Sequence, residues 1–175
     1  MAEHPLPHLP LQNFEVAMDR RLPAWLLPPS LDMVAINLGS GNKEIGATTP
    51  FDADRGWWAG EQLPFEDESV DLVIAYHFFE HLTKVDLLDT LRELERILKP
   101  GGVINSVTPH WSAEIAHQDL DHKLFFTEQT WNNLFHNDYY DGTMPRDWMF
   151  HVGFQLIIGL VQRNLVLLTQ IVRTD

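Results

Sequence analysis

The sequence predicts an α/β domain on an at least partly parallel sheet, and three observations carry that reading. Val70 to Tyr76 (VDLVIAY), a helical pattern over Val85 to Leu98, the stop Pro100-Gly101-Gly102 and the run Val103 to Thr108 follow one another. Strand, helix, stop, strand is the order of a βαβ unit. Upstream, Val34-Ala35-Ile36-Asn37-Leu38 is a short apolar run ending at Gly39, as a buried parallel strand does. Downstream, Phe150 to Val161 and Leu165 to Arg173 are β-rich runs separated by Gln162-Arg163-Asn164, which predicts an antiparallel hairpin.

Taken in order, residues 1–30 hold six of the eleven prolines and one helical candidate, Leu11 to Leu22, before Pro23, Pro28 and Pro29 break the chain. This segment reads as an arm or lid packed on a domain of residues 31–175, or as an untethered terminus. In the helix over Val85 to Leu98, Val85, Leu88, Leu91, Leu94 and Leu98 fall on one face, with Glu93, Glu95 and Arg96 outward. Thr127 to Phe135 predicts a short helix capped by Thr127.

A chain of 175 residues suits one domain, and 45% hydrophobic content with six Trp and ten Phe argues against disorder. The absence of cysteine excludes a disulfide framework, thiolate catalysis and iron–sulfur clusters. No apolar stretch reaches the ~18 residues of a spanning helix, and the start lacks a basic-then-apolar leader, so a cytoplasmic chain without membrane contact is expected. A net charge of −13 with no Lys/Arg cluster disfavours generic DNA binding. Neutral or cationic small molecules fit that field better.

Ligands of open α/β sheets sit beyond the carboxyl ends of the strands, where glycine lets backbone approach closely. Asn37-Leu38-Gly39-Ser40-Gly41-Asn42 supplies such a turn, and Asp52, eleven residues past Gly41, is placed to accept hydrogen bonds from ribose hydroxyls. A bare glycine turn and a solvated aspartate are the plainer readings of each alone. Together, NLGSGN, FDAD, LPFEDESVDLVIAYHFFEHL and LKPGG, in that order and spacing, resemble class I S-adenosylmethionine-dependent methyltransferases, most of all the small type 11 group.

The resemblance runs strongly from Val34 to Thr108. It implies a Rossmann-like seven-stranded sheet of order 3-2-1-4-5-7-6, mostly parallel, with a C-terminal antiparallel hairpin and minimal helices around strands one to three. It also implies S-adenosylmethionine as cofactor, with Asn37, Gly39, Ser40, Gly41 and Asn42 in the turn that holds it. Asp52 would meet the ribose and Gln62-Leu63 the adenine, with Tyr76 and His77 at the mouth. The chain departs from the pattern where Asn37 replaces an acid. Only some ten residues join the first two strands, and Ala59 or Gly60 stands where the third-strand aspartate is expected; Glu61 or Gln62 could substitute.

After the fourth family strand comes His77-Phe78-Phe79-Glu80-His81. If a helix starts here, positions i, i+3 and i+4 bring His77, Glu80 and His81 together. Two imidazoles and a carboxylate make a partial metal site, and His122, in His117-Gln118-Asp119-Leu120-Asp121-His122-Lys123, is the candidate for closing it. The layout resembles metal-dependent O-methyltransferases acting on small RNAs, in which Glu-x-x-Glu-His is followed by Asp-His-Lys. Here His77 replaces the first Glu. The resemblance implies a divalent metal on His77, Glu80, His81 and His122, and the nitrogen-rich set favours transition metals over magnesium.

The plainer reading makes Glu80 a capping or pairing residue and His81 a satisfied core histidine, with His77, His81 or His122 as a metal-free general base. His110 and His117 read as loop residues, and His4, His8, His136 and His151 carry no argument. Trp57-Trp58 and Trp111 could wall an acceptor pocket, or lie in the core. Methyl transfer to a hydroxyl, less readily an amine, of a small-molecule acceptor is the expected activity. A non-catalytic cofactor-binding subunit and an RNA or nucleotide O-methyltransferase are the alternatives, and oligomeric state is not legible.

Overall fold

The computed structural model describes residues 32–41, 45, 47–135, 149–158 and 163–173, with side chains up to residue 135 and from Leu165 on. The helix expected over Leu11 to Leu22 and the whole 1–30 arm lie outside these residues, as does Asn42.

Among the described residues six strands form one sheet in the order β2-β1-β3-β4-β6-β5. They are β1 (Ala35–Leu38), β2 (Thr49–Phe51), β3 (Val70–Tyr76), β4 (Leu98–Pro109), β5 (Met149–Ile158) and β6 (Arg163–Val172). Pairing is parallel from β2 through β4. The β6 strand then runs antiparallel to both β4 and β5, the expected hairpin. This is the Rossmann-like order foreseen from the sequence, except that no counterpart of the family's third strand occurs among the described residues. The stretch from Trp58 to Ser69 explains why: Gly60, Pro64 and the acids Glu61, Glu66, Asp67 and Glu68 leave no alternating apolar run to pair.

The crossover helix α1 (Lys84–Ile97) opens with a capping box between Thr83 and Asp86. It buries Leu87, Thr90, Leu91, Leu94 and Ile97. The buried stripe is therefore rotated from the one expected: Val85 is exposed and Leu98 begins β4. Glu93, expected outward, instead accepts the Leu63 backbone N–H at 2.8 Å and pairs with Arg96. Two further helices are α2 (Ile115–Gln118) and α3 (Glu128–Phe135). Thr127 caps α3 as expected, its Oγ1 accepting from the Thr130 N–H at 3.1 Å.

The main core lies between one sheet face and α1 and α3, with Ile36, Val73, Ile104 and Ile171 meeting Leu91, Leu94, Phe79 and Trp131. Ala35, Leu72, Ile74, Val107 and Val166 form a second buried cluster on the opposite face. Among the described residues no helix is long and apolar enough to cross a membrane.

Candidate active site

The glycine turn leaves β1 at the carboxyl edge of the sheet. Gly39 and Gly41 take left-handed φ values of 64° and 52°, which glycine adopts without a Cβ penalty. The Gly39 and Ser40 N–H groups both donate to the Phe51 carbonyl, at 2.9 and 3.3 Å. Asp52 ties the turn down: one carboxylate oxygen accepts from the Gly41 N–H at 2.9 Å, the other from the Asp54 N–H at 3.0 Å. A Cβ on Gly39 would stand 2.5 Å from the Phe78 ring, whereas one on Gly41 would meet nothing within 4 Å. Gly39 thus serves the packing of Phe78, and Gly41 faces open space.

Of the other residues assigned to a cofactor, Asn37 and Ser40 are buried and Gln62 is exposed. The Nδ2 of Asn37 has no partner. Leu63 is sealed in the main core. Tyr76 ends β3 with its ring edge-on to His77 at 4.7 Å. Burial, and then the nearby Glu80 carboxylate, raise its phenol above the ordinary value, so it stays protonated.

Beyond β3 the chain departs from expectation. No α-helix begins at His77: that residue sits at φ 52°, and only a 3-10 turn, Phe79–His81, follows. Such a φ is strained for a residue with a Cβ. The His77–Glu80 encounter survives through a hydrogen bond instead, Nδ1 to Oε1 at 2.8 Å. Glu80 is 1% exposed, and its second oxygen has no partner.

The loop after β4 returns to the same place. The Lys123 and Leu124 N–H groups donate to the Glu80 backbone carbonyl at 2.8 and 3.1 Å. This docking brings the His122 ring to 4.7 Å from His81. Donor atoms of Glu80, His81 and His122 all lie within 4.8 Å of one another. His77 is not in that set; in place of the four-residue cluster expected from spacing, the structure makes three donors with His77 holding the carboxylate. His122 Nδ1 lies 3.0 Å from the Ala116 carbonyl, which assigns the proton to Nδ1, and Nε2 lies 4.0 Å from an Asp119 carboxylate oxygen. An open cleft of about 650 Å³ is lined by His77, His81, His122, Ile115, Gln118 and Leu120, with Asp119 beside them.

A family model for a methyltransferase domain matches residues 58–105. The chain is also 33% identical over 100 residues to the ubiquinone/menaquinone biosynthesis C-methyltransferase UbiE of Rubrivivax gelatinosus, over 54% of this chain and 34% of that protein. The chain is thus similar in sequence to class I S-adenosylmethionine-dependent methyltransferases. It spans about a third of the length of that relative.

Solved structures described as methyltransferases or related proteins share the fold of this chain. One, from Thermotoga maritima, is described as a possible histamine N-methyltransferase; it has a TM-score of 0.57 at 16% identity, over 86% of this chain and 85% of that one. The YcgJ protein of Bacillus subtilis has a TM-score of 0.56 at 9% identity, over 83% and 93%. Geranyl diphosphate C-methyltransferase of Streptomyces coelicolor has a TM-score of 0.51 at 13% identity, over 82% and 74%.

Sequence reasoning missed Phe78 as the partner of Gly39, Ala116 as the anchor of His122, and the strain at His77. Phe78 stood in plain sight beside the histidines; the other two depend on backbone geometry that no residue type announces.

Proposed function

We propose that the protein transfers the methyl group of S-adenosylmethionine to a hydroxyl of a small-molecule acceptor bound in the histidine-lined cleft. The observation that carries this reading is the buried Glu80 carboxylate at the carboxyl end of β3, hydrogen-bonded to His77 and with donor atoms of His81 and His122 within 4.8 Å. Methyl transfer is an in-line displacement, so the protein must hold the acceptor oxygen against the methyl and take its proton. Glu80 accepts the Nδ1 proton of His77, leaving Nε2 as the basic nitrogen of a ring lining the cleft. The Gly39–Gly41 turn and Asp52 supply the cofactor side, Asp52 keeping lone pairs for ribose hydroxyls while it holds the turn.

Glu80, His81 and His122 also suit a divalent metal. A carboxylate oxygen buried without a partner is costly unless a cation meets it, and with its Nδ1 proton on Ala116 His122 keeps the Nε2 lone pair for one, beside Asp119 at 4.0 Å. With two nitrogen donors the set favours manganese, iron, cobalt or zinc. Bound there, the metal would lower the pKa of the acceptor hydroxyl. His77 would then orient Glu80 through their hydrogen bond, and His81 and His122 would be fixed by the Phe78 and Ala116 carbonyls that hold their chain and ring.

A second reading, methylation of carbon, is supported by the name of the UbiE relative. One experiment separates them. The purified enzyme is stripped with a chelator, its metal content verified, and assayed with hydroxyaromatic acceptors before and after manganese, cobalt, zinc or magnesium is restored. Product spectra distinguish a methoxy group from a ring methyl. Activity lost on stripping and regained with a transition metal, giving a methoxy product, is the expected result. Full turnover by metal-free enzyme assigns the residues as base and packing, a ring-methyl product assigns carbon transfer, and cofactor binding without turnover assigns a non-catalytic subunit.

A further inference from the structure

We infer that Arg55 is a positioning residue for the cofactor, holding the Gly39–Gly41 turn in the shape that receives S-adenosylmethionine, a role that rests on the reading of this turn as the cofactor's seat. The turn needs such a hold. Both its glycines take left-handed φ values, and glycine backbone loses more freedom on ordering than any other. Only ten residues, 39–48, separate β1 from β2, fewer than the dozen or so of a helical crossover. A full crossover helix, whose i→i−4 bonds would fix the carbonyls of the turn, does not fit.

Side chains after β2 take over that task. Asp52 accepts from the Gly41 N–H at 2.9 Å. The carbonyl of the same glycine accepts from Arg55 Nε at 3.2 Å, fourteen residues along the chain, and from the Ser40 hydroxyl at 3.2 Å. Asp52 is also the N-cap of the 3-10 turn Ala53–Arg55, its other oxygen accepting from the Asp54 N–H at 3.0 Å. The Arg55 N–H donates to the Asp52 carbonyl at 2.9 Å, and Gly56 closes the turn at φ 82°. Carboxylate and guanidinium therefore arrive on Gly41 from one short, tied segment, one on its N–H and one on its carbonyl.

Charge singles out the same residue. Arg92, Arg96 and Arg173 are held by carboxylates. Among the described residues no carboxylate pairs with Arg55, although the chain carries 25 acidic residues; its side chain donates to backbone instead. An ion pair at so exposed a place contributes little, whereas a pinned glycine turn lowers the ordering cost that ligand binding must otherwise meet. A Cβ on Gly41 would meet nothing within 4 Å, so the clamp leaves open space beside the turn.

Calorimetry with S-adenosylhomocysteine on the full-length protein, joined to peptide-level hydrogen exchange, tests this. Arg55→Ala should weaken binding by about fivefold or more, the scale of one hydrogen bond to a charged donor. Exchange at the turn in ligand-free protein should quicken while exchange in β3 and α1 stays as in the native chain. Arg55→Lys, which keeps a cationic donor, should recover most of the affinity. Unchanged affinity in Arg55→Ala would overturn the inference. Weaker binding with turn exchange unaltered would overturn it by making Arg55 a direct ligand contact, and exchange raised throughout the domain would overturn it by making the residue merely structural. If the native protein binds no S-adenosylhomocysteine, the cofactor reading of the turn fails and takes this role with it, a result distinct from the other three.

Discussion

At the scale of single residues, two glycines of one turn do different work. Gly39 combines a left-handed φ with a Cβ position that collides with Phe78, while Gly41 has the φ alone. Gly39→Ala should therefore cost about 2–4 kcal/mol, strain and overpacking together, against about 1 kcal/mol for Gly41→Ala. Urea unfolding of the two variants checks the ranking, and equal losses would remove Phe78 from the account. Gly41→Val goes further at the cofactor. Its branched side chain would stand where the ligand needs backbone, so calorimetry should show S-adenosylmethionine affinity reduced at least tenfold in a folded protein. Unchanged affinity would place the cofactor elsewhere.

At the scale of elements, the ends of β3 show what holds the parallel strands in register. Asp71 accepts from Lys99 Nζ on β4 at 2.8 Å and from the Val34 N–H ahead of β1 at 2.9 Å. Partial burial raises its pKa, but the Lys99 and Val34 hydrogen bonds and the Lys99 charge together outweigh that and leave it below the ordinary 3.8. A folded-state pKa held below the unfolded one contributes stability above the unfolded value and loses it as pH falls through the folded one. Asp71→Asn should thus cost about 0.5–1 kcal/mol at neutral pH, discounted for a half-exposed lysine. The difference from the native chain should shrink toward zero as carboxylates protonate; urea midpoints at several pH values test this, and a gap that persists in acid would contradict it.

The same elements mark how far sequence carries. The β3 strand is readable to the residue because VDLVIAY is broken by no polar side chain but Asp71 and the Tyr76 phenol. The α1 face expected from the sequence lies one step off because Val85, apolar by type, falls in the exposed first turn beyond the core. Glu93 looked like an outward charge because nothing in the sequence reveals that Leu63 would need its N–H satisfied. The Glu80–His81–His122 grouping was legible as spacing plus a returning loop. The exclusion of His77 from it was not, since it follows from a left-handed backbone angle.

At the scale of the whole molecule, charge bears on which partners are excluded. The chain carries 25 acidic and 12 basic residues, and several of its cations are already committed. Arg92 pairs with Asp89, Arg96 with Glu93 and Asp67, Lys99 with Asp71, and Arg173 with Glu68. Among the described residues no lysine or arginine lines the cleft. Affinity for generic nucleic acid comes from basic side chains displacing counterions from phosphates, and a cation held by a carboxylate has little left to offer. At an ionic strength with a Debye length of about 8 Å, the surrounding acids repel a duplex at contact range. Mobility-shift titration with generic duplex DNA at physiological salt should therefore show no retardation. Retardation that disappears on adding salt would reveal a basic surface outside the described residues. Tight RNA retention insensitive to salt would rest on base or ribose contacts rather than phosphates, and would move the acceptor from small molecules to RNA while leaving the cleft chemistry as argued.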